Sequence, residues 1–199
     1  MITFPRTDDD VTSVYHKRLH EFTYDPRNVN LDNERVISSN EEFCSKDLFA
    51  GGYFTDEPFS VIFDDMDSLI NSMRVAATES DSLFCRLAIV KGVRCPKWHE
   101  DYVDLRLIKS YVGEGTEWID PNNISVRLMN FARSHLDMDL DVVHPNNIIS
   151  GNCGDAIVIP GRNRHLKVSN SVPVLHRSPV TKENSRRLLL TVTINAKKT

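Results

Sequence analysis

His99 and Asp101 stand two residues apart in the stretch Cys95-Pro96-Lys97-Trp98-His99-Glu100-Asp101-Tyr102. In an extended backbone their side chains point to one face and Glu100 to the other, so an imidazole and a carboxylate can grip one metal ion. A third ligand has to come from elsewhere. His176, in Val174-Leu175-His176-Arg177-Ser178-Pro179 beside a strand-like run, is the best placed. Two imidazoles and one carboxylate on one face of an octahedron leave positions open, the arrangement of non-haem Fe(II) oxygenases. His144 and His165 are spare candidates should the site hold three His. Against these readings stands the ordinary fate of a lone His, a hydrogen-bonded structural residue.

Other chemistries find less support. Cys95 lies four residues before His99, a spacing zinc sites tolerate, yet no Cys-x-x-Cys accompanies it, and it reads as a structural or redox-sensitive thiol. Asp137-Met138-Asp139-Leu140-Asp141 imitates a calcium loop, but Val142 stands where a turn glycine is needed and Ile148 where a bidentate Glu belongs. No Gly-x-Ser-x-Gly elbow and no phosphate-binding loop occurs.

The elements that must position these residues are mostly strands. Leu83 to Val93 and Val103 to Val112 are rich in branched and aromatic residues and flank the His-Glu-Asp tripeptide. A short apolar strand follows at Ala156 to Gly161, and a last one runs from Arg186 to Ile194. Ahead of them, Phe59, Ile62, Phe63, Met66, Leu69, Ile70 and Met73 recur at helical spacing after Pro58 and predict a helix that covers a sheet. Ser39 with Glu42 fits a capping box for a shorter helix through Phe43, Leu48 and Phe49, ending at Gly51-Gly52. Pro121 opens another helical pattern through Ile124, Leu128, Phe131 and His135. The first forty residues have little periodicity and several turn formers, and read as a wrap around the domain or a partly ordered arm. Short strands punctuated by Gly and Pro, without strand-helix alternation, predict a mainly β fold with flanking helices: an antiparallel double-sheet jelly roll, the cupin-like double-stranded β-helix. Residues 1–199 read as one domain, with 1–80 as arm and covering helices and 81–199 as the core that carries the metal site.

Composition sets the bounds. Neither a long apolar run nor a signal-peptide core is present, and the four cysteines have no close pairing, so the expectation is a cytoplasmic protein with reduced thiols and no membrane span. The net charge is −4, but residues 161–199 carry nine basic side chains and one acidic one. That end also carries His176, and its field would draw an anionic cosubstrate or a phosphate backbone unless folding mixes it with the acidic remainder.

Arg186 and Arg187 follow His176 by ten and eleven residues. His-x-Asp, a distant His and an Arg about one strand later resembles the Fe(II)- and 2-oxoglutarate-dependent dioxygenases. The resemblance implies that the Arg binds the distal carboxylate of 2-oxoglutarate, a task suited to a planar, permanently charged fork. Arg187 shares its strand face with Thr191 and Thr193, whereas Arg186 shares one with Leu188, Leu190, Val192 and Ile194, so Arg187 is preferred. The family's commonest pattern has a hydroxyl residue two positions after the Arg, where this chain has Leu189. Tyr111 and Thr191 are the candidates to replace it, unless the cosubstrate binds differently or not at all. On the same resemblance Arg106, Arg177, Glu117, Trp98 and Trp118 neighbour the motifs as candidate substrate contacts, with internal ion pairs or core packing as the alternative.

A closer resemblance covers residues 85 to 194. Cys95, His99-Glu100-Asp101-Tyr102, Leu105-Arg106-Leu107, Tyr111, Gly113-Glu114-Gly115-Thr116-Glu117-Trp118, His176-Arg177-Ser178-Pro179 and Arg187-Leu188-Leu189-Leu190 resemble a bacterial-type domain family of unknown function, often encoded near zinc-homeostasis GTPases. Three functions follow as expectations. One is a 2-oxoglutarate oxygenase acting on a small molecule or an amino-acid side chain, with nucleic acid as a substrate variant. The second is a cupin-like metalloenzyme that does not use 2-oxoglutarate. The third is a non-enzymatic zinc-binding or metal-delivery protein using the same ligands.

Overall fold

A computed structural model describes residues 2–4, 11–46, 60–77, 81–120, 147–163 and 172–195. Its elements in chain order are β1 (Ile2–Phe4), α1 (Val11–Tyr24), a 3-10 turn (Pro26–Asn28), β2 (Asp32–Ser38), α2 (Ser60–Ala76), β3 (Ser82–Lys91), β4 (Leu105–Val112), β5 (Glu117–Ile119), β6 (Ile148–Ser150), β7 (Ala156–Pro160), β8 (His176–Arg177) and β9 (Arg186–Asn195).

Two antiparallel sheets form, one in the order β1-β7-β4-β9-β3-β2 and a smaller one in the order β6-β5-β8. An isolated antiparallel bridge joins His99 to His176, which adds the His99 segment to the small sheet beside β8. In chain order β3, the His99 segment, β4, β5, β6, β7, β8 and β9 then fall in the large, small, large, small, small, large, small and large sheets. That repeated crossing between two facing sheets is a jelly roll.

Strand alternation divides the large sheet into two chemical faces. Leu188, Leu190, Val192 and Ile194 of β9 share one face with Leu83, Cys85, Leu87 and Ile89 of β3, and α2 closes over it with Ile62, Phe63, Met66, Leu69, Ile70 and Met73. Each of these α2 side chains is buried, as the helical spacing predicts. Arg187, Leu189, Thr191 and Thr193 occupy the opposite face, toward the small sheet, where Ile108, Ile157, Ile159, Trp118 and Val174 form a second core between the sheets.

The described residues of the N-terminal forty hold more regular structure than their sequence pattern conveys. β2 pairs along its length with β3, yet of its side chains only Ile37 is buried, so an exposed edge strand shows no alternation. Among its described side chains α1 turns Leu19, Phe22 and Thr23 to the core, a stripe too narrow to announce a helix. The Ser39–Glu42 box does not start a helix. Residues 39 and 40 form a turn, and Glu41 accepts the Ser38 amide instead, at 3.2 Å. Helical backbone begins at Ser45, whose amide donates to Asp67 Oδ1 at 2.7 Å; Leu48, Phe49 and the Gly51-Gly52 stop lie outside the described residues. So do Pro58, the segment opened by Pro121, the Asp137 loop, His144 and His165. All four cysteines are free thiols, and among the described residues no helix is long and apolar enough to cross a membrane.

Candidate metal centre

The His99 segment and β8 lie side by side through two backbone hydrogen bonds, His99 N–H to His176 O and His176 N–H to His99 O, each 3.0 Å. Directly opposed residues on neighbouring strands share a face, so this pairing by itself brings the two imidazoles together, with ring centroids 4.4 Å apart. Two residues beyond His99, Asp101 returns to the same face. Its Oδ1 lies 3.8 Å from His99 Nε2 and its Oδ2 3.2 Å from His176 Nε2. Glu100 turns the other way and pairs with Arg162 at 3.1 Å. One ligand atom from each of the three residues lies within 4.8 Å of the others. Donors bound to one divalent ion at about 2.0–2.2 Å stand roughly 3–4 Å apart, so small side-chain rotations close the set.

The ring nitrogens show which atoms are free. His99 Nδ1 is 2.9 Å from Lys97 O and His176 Nδ1 is 3.0 Å from Val174 O. A carbonyl only accepts, so each Nδ1 carries a proton, and in the neutral imidazole each Nε2 presents a lone pair to Asp101. Asp101 Oδ2 is buried and lies near His176 Nε2 and 2.9 Å from Arg106 Nη1, yet it is aligned for a hydrogen bond with neither. Arg106 gives that carboxylate one cation, but the two imidazole lone pairs that face it have none. The donor set therefore fits a divalent metal.

Burial, and next the neighbouring His176, lowers the pKa of His99, against the opposing pull of the Lys97 carbonyl and Asp101. For Asp101 burial acts upward, but His176, Arg106 and His99 together outweigh it and hold the carboxyl below its ordinary range. Both shifts favour the metal-binding protonation states. His99 and Asp101 open to one side on a cleft of about 490 Å3 that Cys95, Lys97 and Tyr102 also wall.

Arg187 projects from the inner face of β9, is only 2 % exposed, and donates through Nη2 to Ser178 Oγ at 3.1 Å. Its Nε has no hydrogen-bond partner among the described residues. Burial pushes its pKa down while Glu114 and Cys95 act upward. The side chain has room because Gly113, at φ +83°, lies against it; a Cβ there would come within 2.8 Å of Arg187 Cγ and 2.9 Å of Arg186 O.

The remaining expected site residues divide by face. Thr191 lies on the inner face with Arg187. Arg186 does not: its guanidinium donates to the carbonyls of Thr23 and Asp25, ending α1 in the manner of a basic C-terminal cap. Tyr111 also leaves the site, because it packs on the helix side and donates its hydroxyl to Asp65. Arg177 pairs with Glu117 at 2.7 Å and stacks over Trp98 at 4.4 Å, while Trp118 fills the core between the sheets, so these four are internal packing. Cys95 is exposed in the wall of the cleft and is not one of the three clustered ligands. Ser178 was not among the expected residues, although the two-residue alternation that joins His99 to Asp101 also joins His176 to Ser178.

The family model described as protein of unknown function (DUF1826) matches residues 2–192. No curated protein matches the chain by sequence. Among solved structures, the dioxygenase for auxin oxidation 1 from Arabidopsis thaliana, in binary complex with 2-oxoglutarate, is similar at 10 % identity and a TM-score of 0.48, over 94 % of this chain and 79 % of that one. The Fe(II)/α-ketoglutarate-dependent dioxygenase TqaL is similar at 10 % identity and 0.44, over 96 % and 76 %. Full-length T7H from Neurospora crassa, in complex with α-ketoglutarate, is similar at 13 % identity and 0.39, over 96 % and 73 %.

Proposed function

We propose that this chain, which belongs to the DUF1826 family of proteins of unknown function, is an Fe(II)- and 2-oxoglutarate-dependent dioxygenase of a small molecule or an amino-acid side chain. The observation that carries the reading is Arg187, a buried guanidinium whose described contacts include no carboxylate, on the inner face beside the His99-Asp101-His176 cluster. A buried cation that Glu114 steadies only from a distance, with no carboxylate in contact, is costly to keep, and an anionic ligand bound directly to it lowers that cost. Zinc retention alone gives such a residue no task.

In this reading His99, Asp101 and His176 hold Fe(II) through two Nε2 atoms and one carboxylate oxygen, with both imidazoles fixed by their Nδ1 bonds to Lys97 O and Val174 O. Iron with 2-oxoglutarate and oxygen supplies oxidative decarboxylation to succinate and oxidation of a substrate C–H bond. The protein binds and orients. Arg187 takes the distal carboxylate of 2-oxoglutarate, Ser178 holds the guanidinium plane, and Thr191 lies on the same face as a candidate hydroxyl contact. The inter-sheet core of Ile108, Ile157, Ile159, Trp118 and Val174 keeps water from behind the site. The strands from β3 to β9 would form the jelly-roll unit that carries this chemistry, with β1 and β2 as the edge strands of its large sheet and α2 as its cover.

The test is succinate release and oxygen uptake by the Fe(II)-reconstituted protein supplied with 2-oxoglutarate, beside 2-oxoglutarate binding to the Fe(II)-loaded wild type and to an Arg187→Met variant. The expected result is 2-oxoglutarate-dependent turnover in the wild type, with cosubstrate binding lost and metal content kept in the variant. Tight zinc binding with neither iron nor 2-oxoglutarate retained overturns the assignment in favour of metal handling.

A further inference from the structure

Arg106 leaves β4 on the inner face, the face opposite Leu105 and Leu107. Its Nη1 stands 2.9 Å from Asp101 Oδ2, and its Nε donates to Thr193 Oγ1 at 3.1 Å. Thr193 is the register partner of Arg106 across the β4–β9 pair and is itself buried. The guanidinium is thus tied at one end to a strand hydroxyl and set at the other against the carboxylate of the cluster.

We propose that Arg106, held by Thr193, is a positioning residue for the carboxylate ligand Asp101, and that its charge sets how that carboxylate meets the metal. The inference rests on the metal reading above. Both imidazoles already have an outer partner, the Lys97 and Val174 carbonyls, and Asp101 lacks any aligned hydrogen bond at Oδ2. Arg106 is the cation placed to serve that ligand. Outer partners of this kind fix ligand orientation, and their loss typically weakens metal binding by about 10–100-fold. An arginine suits the place because its planar fork addresses Thr193 and Asp101 together, which a lysine's single point charge does not. Arg106 is also far from idle surface charge, since its side chain is only 29 % exposed on the wall of the cluster.

The experiment titrates the metal-free full chain with Co(II), following affinity and the visible d–d band, whose position and intensity respond to the number and kind of ligands. Wild type, Arg106→Met, Arg106→Lys and Thr193→Val are compared, with circular dichroism of each. Arg106→Met is expected to bind at least about tenfold more weakly and with an altered band, Arg106→Lys to recover only part of the affinity because it returns the charge without the fork, and Thr193→Val to fall between Arg106→Met and wild type. Should Arg106→Met fail to fold, an altered band in Thr193→Val still supports the proposal, and an unaltered one refutes it. A wild-type band and affinity in folded Arg106→Met overturn the positioning role and leave the three-ligand centre standing. Failure of the wild type to bind Co(II) removes the centre itself, and the proposal with it.

Discussion

Arg187 Nη2 and Ser178 Oγ meet at 3.1 Å across β9 and the segment after β8, two residues past His176. The same hydroxyl accepts the Cys95 amide at 3.2 Å, four residues before His99. One serine therefore joins the buried cation to both chain segments that carry the imidazoles, which in the proposed function would tie the anion site to the metal site.

Replacing Arg187 by Met should stabilise the protein while disabling it. In the absence of a ligand the change removes a buried charge, worth about 1–3 kcal/mol, and each kcal/mol shifts the melting temperature of a chain this size by about 2–4 °C. Thermal melts with and without 2-oxoglutarate check this: the variant melts higher than wild type alone and gains nothing from 2-oxoglutarate. A lower melting point in the variant would mean that Arg187 is a structural anchor.

Metal loading should raise the melting temperature, because a ligand that binds only the folded state at 100 times its dissociation constant adds about 2.7 kcal/mol. Excess Fe(II) under anaerobic conditions, or Co(II), is expected to do so in the wild type and to have little effect in His99→Ala, Asp101→Ala or His176→Ala. Chelator should return the wild type to its starting point.

The Tyr111 hydroxyl donates to Asp65 Oδ2, and Lys109 Nζ pairs with Asp65 Oδ1 at 2.9 Å, so α2 is pinned to β4 by polar contacts at the edge of the apolar layer. Tyr111→Phe is expected to cost about 1–2 kcal/mol in urea unfolding and to leave 2-oxoglutarate affinity unchanged. Burial, and then Asp65, raises the Tyr111 pKa well above 10.0. A group whose folded pKa is raised contributes its full stability below its unfolded pKa and loses it as pH rises. Wild-type stability should therefore decline above pH 10, more steeply than that of Tyr111→Phe.

The four thiols should differ in reactivity. Cys95 is exposed, whereas Cys85 is fully buried and its thiol is pushed up to about 12 by desolvation. Brief alkylation of the native protein, read by peptide mass, is expected to label Cys95 and spare Cys85 until denaturant is added.

Much of the centre was legible because strand alternation is a local rule. His-x-Asp requires only an extended backbone, and counting inward from Thr193 and Thr191 reaches Arg187. The same count from Leu107 carries Tyr111 to the helix face, so its distance from the site was also open to inference. Ser178 could have been reached from His176 in the same way. The Arg106 contact with Asp101 was not legible, because it depends on β4 lying opposite the His99 segment across the gap between sheets, a long-range fact that no local period encodes. α1 and β2 escaped for another reason: each buries too few apolar side chains to leave a pattern.

The adjacent arginines at the start of β9 have a consequence for how the chain tolerates errors. A slip of β9 by one residue would still present a guanidinium to the cavity, Arg186 in place of Arg187. It would also throw Leu188, Leu190, Val192 and Ile194 out of the layer under α2, forfeiting roughly 1.5–3 kcal/mol for each. The site's own chemistry thus gives little guard against misregistration, and the oily face on the far side of the strand keeps the correct arginine in place.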